Sequence, residues 1–152
     1  MTRSKERRRT RFWMSSGLAV VMAALGGDSF ALDTRALTRS RYDIAETARR
    51  IEQSAARHGL AVFTRIRKNP VAGASSEQGA LVIVLETAQG GTPVVMDERS
   101  DRPGLPLSLM LTVDEVGTTQ VSLPAGEWAE LPPQLAHDVA GLPAVVADAL
   151  QA

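Results

Sequence analysis

The period of the apolar positions changes along this chain from an almost unbroken run, to strand-like alternation, to a helical stripe. The unbroken run covers residues 12–27. After it, Ala36, Thr38, Ser40 and Tyr42 alternate with Leu37, Arg39 and Arg41, which predicts a strand in the stretch 32–42. From Asp43 the spacing becomes helical. Ile44, Ala48, Ile51, Ala55 and His58 fall on one stripe, while Arg49, Arg50, Glu52, Gln53 and Arg57 lie elsewhere and face water. The Asp43 carboxylate can accept from the free amides of a first turn. Glu46, three residues on, completes a pattern like a capping box. Gly59 supplies a left-handed stop. These signals predict a helix over 43–58.

Beyond Gly59 the period returns to two. Leu60, Val62, Thr64 and Ile66 alternate with Ala61, Phe63 and Arg65, and Asn69-Pro70 ends that strand. Residues 71–78, rich in Ala, Ser and Gly, read as a loop or one loose turn. Residues 80–85 are continuously apolar, which fits a strand covered on both faces. Gln89-Gly90-Gly91 marks a turn, 92–96 reads as a short strand or one helical turn, and 97–104 as a polar, turn-prone segment. A strand at 105–113, a turn at 114–117 and a returning strand at 118–123 form a hairpin. Pro132 or Pro133 can open a final helix. Leu135, Val139, Leu142, Val145, Val146 and Leu150 make its apolar face, and Gly141 and Pro143 are expected to bend or divide it. The order is strand, helix, four strands, helix. Short connections between the last strands favour antiparallel pairing. The fold class expected is α+β, a mainly antiparallel sheet with two helices on one face. The opposite face must then be polar or covered by a partner, and function is expected there.

The N-terminal run changes the domain picture. Arg3, Lys5, Arg7, Arg8, Arg9 and Arg11 precede it, and Ser29-Phe30-Ala31 follows with small residues where a signal peptidase reads. A membrane span needs roughly 20 apolar residues. This run is shorter and has no basic stop-transfer cluster after Asp28. Arg8-Arg9 lacks twin-arginine spacing, because Thr10 and Arg11 intervene before Phe12. The expectation is a signal peptide at 1–31, cleaved after Ala31, and one domain at 32–152. That places the protein in the periplasm or outside the cell, free of the membrane after cleavage.

Charge and cysteine content narrow the function classes. The chain has 17 basic and 17 acidic residues. The leader takes six of the basic ones but only Glu6 and Asp28 of the acidic ones, so the remaining domain is mildly acidic. Nucleic acid is not an expected partner, since phosphate binding needs clustered Lys and Arg. Only Arg65, Arg67 and Lys68 cluster, and they read as the exposed face of a strand. There is no cysteine, which excludes zinc ribbons, thiol redox chemistry and covalent haem through a C-x-x-C-H motif.

In order along the chain stand Thr47 in the first helix, the junction Gly59-Leu60-Ala61-Val62-Phe63, the apolar strand 81–85, Gly91-Thr92-Pro93 with Met96, and Leu105-Pro106-Leu107 entering a strand. In these residues the chain resembles the DUF302 family, bacterial domains of unknown function with a strand-helix-four-strand-helix fold. The likeness runs from about Asp43 to Leu150. Two segments depart from it. Arg67-Lys68 stands where such domains carry an Asp-His-like pair, and Leu85-Glu86-Thr87-Ala88 stands where they carry a Phe-Gly-Asn-Pro turn. The resemblance implies a fold and no established activity.

The candidate chemistry is sparse. His58 is either a ligand or proton-transfer group, or a boundary histidine capping the last helical turn. His137 and Asp138 are adjacent on the last helix and diverge in direction. Met96 and Met110 read as packing residues rather than metal or haem ligands. The acidic loop Asp97-Glu98 with Asp101 lacks calcium-loop spacing. No cofactor and no metal site is expected. Trp128, on a loop, either covers the edge of the core or lines a ligand or dimer surface, and a homodimer is one outcome such a surface allows. The candidate ligand-binding set is Glu86, Thr92, Met96 and Trp128. The function expected is a non-catalytic module for a small molecule or a protein partner. The alternative is an enzyme using His137, Asp138 and Glu86, which requires those three to share one cleft.

Overall fold

The computed structural model describes residues 34–69, 79–99, 101–126, 128 and 131–151. The expected leader at 1–31 and the expected loop at 71–78 lie outside them. Among the described residues seven strands and two helices follow in order: β1 (Thr34–Ser40), α1 (Ile44–Arg57), β2 (Ala61–Lys68), β3 (Ala80–Glu86), β4 (Val95–Asp97), β5 (Arg102–Gly104), β6 (Ser108–Val113), β7 (Thr119–Pro124) and α2 (Pro133–Gln151). Five strands form an all-antiparallel sheet in the order β1-β7-β6-β3-β2. The fold is α+β, as the pattern of apolar positions implies.

The start of α1 is built as its sequence suggests, with one change. The Glu46 backbone N–H donates to Asp43 Oδ1 at 2.8 Å. The Glu46 side chain does not return to the cap. It accepts from Arg49 Nη2 at 2.6 Å and Arg50 Nε at 2.8 Å instead. The helix ends where His58 donates its N–H to Ser54 O and Ala55 O and Gly59 turns at φ +78°, a conformation glycine adopts without a Cβ penalty. Helix α2 begins at Pro133 and runs through Gly141 and Pro143 without dividing.

Both helices cover one face of the sheet. Ala48, Ile51 and Ala55 of α1, and Leu142, Val145, Val146 and Ala149 of α2, pack with Ile83, Leu85, Leu109, Leu111 and Val121. The other face corrects an expectation: it is neither open nor polar where β3 and β6 meet. Val82 and Val84 are each 1% exposed, and they cluster with Met110 and Leu105. Strand β3 is therefore apolar at consecutive positions because both of its faces are buried.

The expected strand at 105–113 begins only at Ser108. Ser108 Oγ donates to Leu105 O at 2.7 Å, which holds residues 105–108 in a bend. The polar segment 97–104 is not merely a turn. Met96 pairs with Pro103 and Asp97 with Arg102 in a two-stranded ribbon, β4-β5. Trp128 bridges to Asp97 and ties the ribbon to the segment after β7.

The ion pairs on α1 give the fold an acid limit. Hydrogen bonds from Arg49 and Arg50 pull the Glu46 carboxyl down from 4.5 to about 2. A carboxyl lowered on folding contributes stability that is complete above its unfolded value and lost as the pH falls towards its folded value. The urea midpoint is expected to hold constant down to about pH 5 and then fall. Glu46→Gln will flatten part of that fall, and an unchanged acid slope in this variant would exclude the pair as a cause.

Candidate functional site

The C-terminal end of α1 meets the middle of α2 in a shallow groove. Its lining is His58, Leu60, His137, Asp138, Gly141 and Val145, around about 70 Å³. The groove owes its shape to three local features. First, α1 ends at His58, so that residue leaves the apolar stripe it shares with Ala48, Ile51 and Ala55 and is exposed rather than buried. Second, Gly59 reverses the chain so that Leu60 drops back into the core. Third, His137, Gly141 and Val145 are four residues apart on α2 and form one line along it, with Asp138 beside them.

Gly141 opens onto free space in the groove. A Cβ built there meets no atom within 4 Å.

One edge is held by a polar latch between the helices. Ser54 is buried, and its hydroxyl lies 2.8 Å from Val145 O and 2.9 Å from Asp148 Oδ2. Arg57 Nη2 donates to the same carboxylate oxygen at 2.7 Å. His58 Nε2 stands 3.9 Å from it, beyond hydrogen-bond range. The Arg57 hydrogen bond first, then that of Ser54, holds the Asp148 carboxyl below its ordinary value. Asp138 accepts from Gln134 Nε2 at 3.0 Å. Neither imidazole makes a side-chain hydrogen bond within the described residues, so both rings keep their hydrogen-bonding capacity for an occupant. Among the described residues no group of three His, Asp or Glu stands close enough to hold a metal ion.

The residues singled out from the sequence are distributed differently. His137 and Asp138 line the groove. Glu86 does not share it. Side chains alternate along β3, and with Ile83 and Leu85 towards the helices, Glu86 follows Val82 and Val84 onto the far face. The three-residue cluster of the enzymatic alternative is therefore not assembled. Thr92 lies between β3 and β4, and its hydroxyl oxygen is buried with no hydrogen-bond partner. Met96 is exposed on β4. Trp128 is half-buried against the ribbon, its indole ring over Gly104 and Gly126. Met96 and Trp128 thus share the ribbon, and none of Glu86, Thr92, Met96 and Trp128 lines the groove.

Sequence reasoning did not bring His58 to His137, nor single out Gly141 as part of a site. The available signals were that the chain holds only two histidines, and that a glycine stands in a helix with no turn to require it.

No protein-family model matches this chain, and no curated protein matches it. Among solved structures, similarity is found to the crystal structure of an uncharacterized conserved protein DUF302 from Bacillus stearothermophilus. It spans 76% of this chain and 94% of that one, at 16% sequence identity and a TM-score of 0.46.

Proposed function

We propose that the chain is an exported binding module that holds a small polar ligand in the groove between α1 and α2 without transforming it. The observation that carries this reading is Gly141. A glycine inside a helix costs roughly 0.5–1 kcal/mol relative to alanine. Packing gives no reason for it here, since a Cβ would meet nothing within 4 Å. It lines the same groove as the chain's two histidines. The basic head, apolar run and Ser29-Phe30-Ala31 of residues 1–31 support a location in the periplasm or outside the cell. The groove offers two imidazoles, one carboxylate and an apolar wall of Leu60 and Val145. That set suits a ligand with a small polar head and an apolar shoulder.

The test is native mass spectrometry of the protein purified from its own host, beside two variants. Wild type is expected to carry a non-covalent mass and to begin after Ala31. Gly141→Ala is expected to be more stable by about 0.5–1 kcal/mol in urea unfolding. Gly141→Leu, which extends into the groove, is expected to keep its circular dichroism and lose the bound mass. A wild-type protein without a bound mass, or a leucine variant that retains it, overturns the groove as the binding site. An intact N-terminus on cytosolic material overturns the export.

A further inference from the structure

The outer strand β2 offers a surface separate from the groove. Among the described residues it pairs with β3 and with no other strand. One row of its backbone N–H and C=O groups therefore has no strand beside it, and an extended segment can add to such an edge. The pairing with β3 shifts between Val62 and Thr64, and Phe63, which has no partner there, is 53% exposed. This bulge ends the regular ladder, which runs uninterrupted over residues 64–68.

The side chains of that stretch describe what such a segment must carry. Arg65 points towards the helices, where its guanidinium makes two 2.6 Å hydrogen bonds to the Glu52 carboxylate of α1. Arg67, two residues on, lies on the same face. Ile66 points the other way and packs with Val82, Val84 and Met110, so Lys68 follows it onto the far face. Glu52 already answers the charge of Arg65. Arg67 and Lys68 make no side-chain hydrogen bond or ion pair among the described residues. Across from them on β3 stand Leu81 and Ala80, while Glu86 lies at the opposite end, across from Ala61. The strand thus ends in two adjacent cations, one on each face.

These charges also exclude a second copy as the occupant. Like charges directly opposite one another destabilise a strand pair. Two-fold pairing of this stretch centred on Ile66 would set Arg65 of each copy against Arg67 of the other. Cations that repel a copy admit an acidic strand.

We propose that β2 is a docking edge for an extended acidic segment of a partner protein, which adds to residues 64–68 antiparallel, as every pair in the sheet is. The segment carries two adjacent acidic residues against Lys68 and Arg67, because neighbours on a strand point to opposite faces as those two cations do. A β-branched residue follows against Ile66. This surface does not depend on the groove.

The probe is a blocked, serine-flanked peptide Glu-Glu-Val-Thr-Val. It is added to isotopically labelled protein purified from its own host, and the backbone amide signals are followed by NMR. The signals of residues 64–68 are expected to shift and saturate and their hydrogen exchange to slow, while β1, the other outer strand, is unaffected. Two further peptides separate the contributions. Lys-Lys-Val-Thr-Val keeps the strand-forming residues with the wrong charge. Glu-Glu-Pro-Thr-Pro keeps the charge but lacks two backbone donors. Neither is expected to saturate. The double variant Arg67→Glu, Lys68→Glu loses no partner, so it is expected to keep its circular dichroism. It is expected to bind the acidic peptide about tenfold more weakly or worse, since two favourable exposed pairs become two repulsive ones, and to accept the lysine peptide instead. Absence of saturation with the acidic peptide, or equal binding of the proline peptide, overturns strand addition. Equal binding of both charge types, or an unchanged preference in the double variant, overturns the acidic partner. A protein already dimeric through β2, with the amides of 64–68 protected before any peptide is added, overturns both.

Discussion

Leu111→Ala is expected to destabilise the protein by about 3–5 kcal/mol, the upper range for a buried leucine replaced by alanine. Leu111 is fully buried on β6, the middle strand of the five-stranded sheet. It stands directly between Leu81 of β3 and Val121 of β7, on the face that both helices cover. The substitution removes three buried carbons from a place where neighbours on both sides are fixed by strand hydrogen bonds. The cavity therefore cannot collapse, and the lost contacts add to the lost transfer free energy. Leu37→Ala is the control. Leu37 lies on β1, an outer strand, and is 54% exposed, so its loss is expected to change stability by no more than about 0.5 kcal/mol. Urea unfolding of both variants measures the difference. A Leu111→Ala loss below about 1 kcal/mol would contradict the placement of both helices on that face.

The elements that were legible in the sequence are those whose signals are local and redundant. Helix α1 has an N-cap at Asp43, a stripe at Ala48, Ile51 and Ala55, and a glycine stop, and each alone points to the same boundaries. Strand β3 was legible as doubly covered because six consecutive apolar residues, 80–85, cannot alternate. What covers its second face was not legible. Val82, Val84 and Met110 announce that they are buried, but the partner Leu105 comes from a bend whose hydrogen bond from Ser108 leaves no periodic trace. The β4-β5 ribbon was missed for a related reason. Three residues are too few to display a period, and Pro103 reads as a breaker although an outer strand tolerates it. The groove was hidden by distance along the chain. His58 belongs by spacing to the buried stripe of α1, and only the end of the helix at that residue turns it outwards. Its meeting with His137 depends on how α1 and α2 pack, through their shared apolar core and the Ser54 contacts to Val145 and Asp148, and neither helix displays that pairing in its own sequence.

Gly104→Ala is expected to destabilise the protein by about 1–3 kcal/mol, the cost of overpacking a closed site, and to displace Trp128. The two glycines under the indole differ from Gly141 in what surrounds them. A Cβ on Gly104 would fall 2.5 Å from Trp128 Cη2 and 2.6 Å from Cζ3, and one on Gly126 would overlap the same ring. The ring cannot retreat freely, because Trp128 is held by its bridge to Asp97 and lies against glycine at both places. Relief must come from separating β4-β5 from the segment after β7. The chain has two tryptophans, Trp13 and Trp128, so in a protein that starts at Leu32 the fluorescence of Trp128 reports this site directly. The expected result is a red-shifted emission maximum and a lowered urea midpoint in Gly104→Ala, against an unshifted emission and a raised midpoint in Gly141→Ala. Opposite signs for one chemical change follow from the space above each glycine, filled by an aromatic ring in one case and empty in the other. Equal effects at the two positions would mean that neither the indole clamp nor the open floor of the groove exists as described.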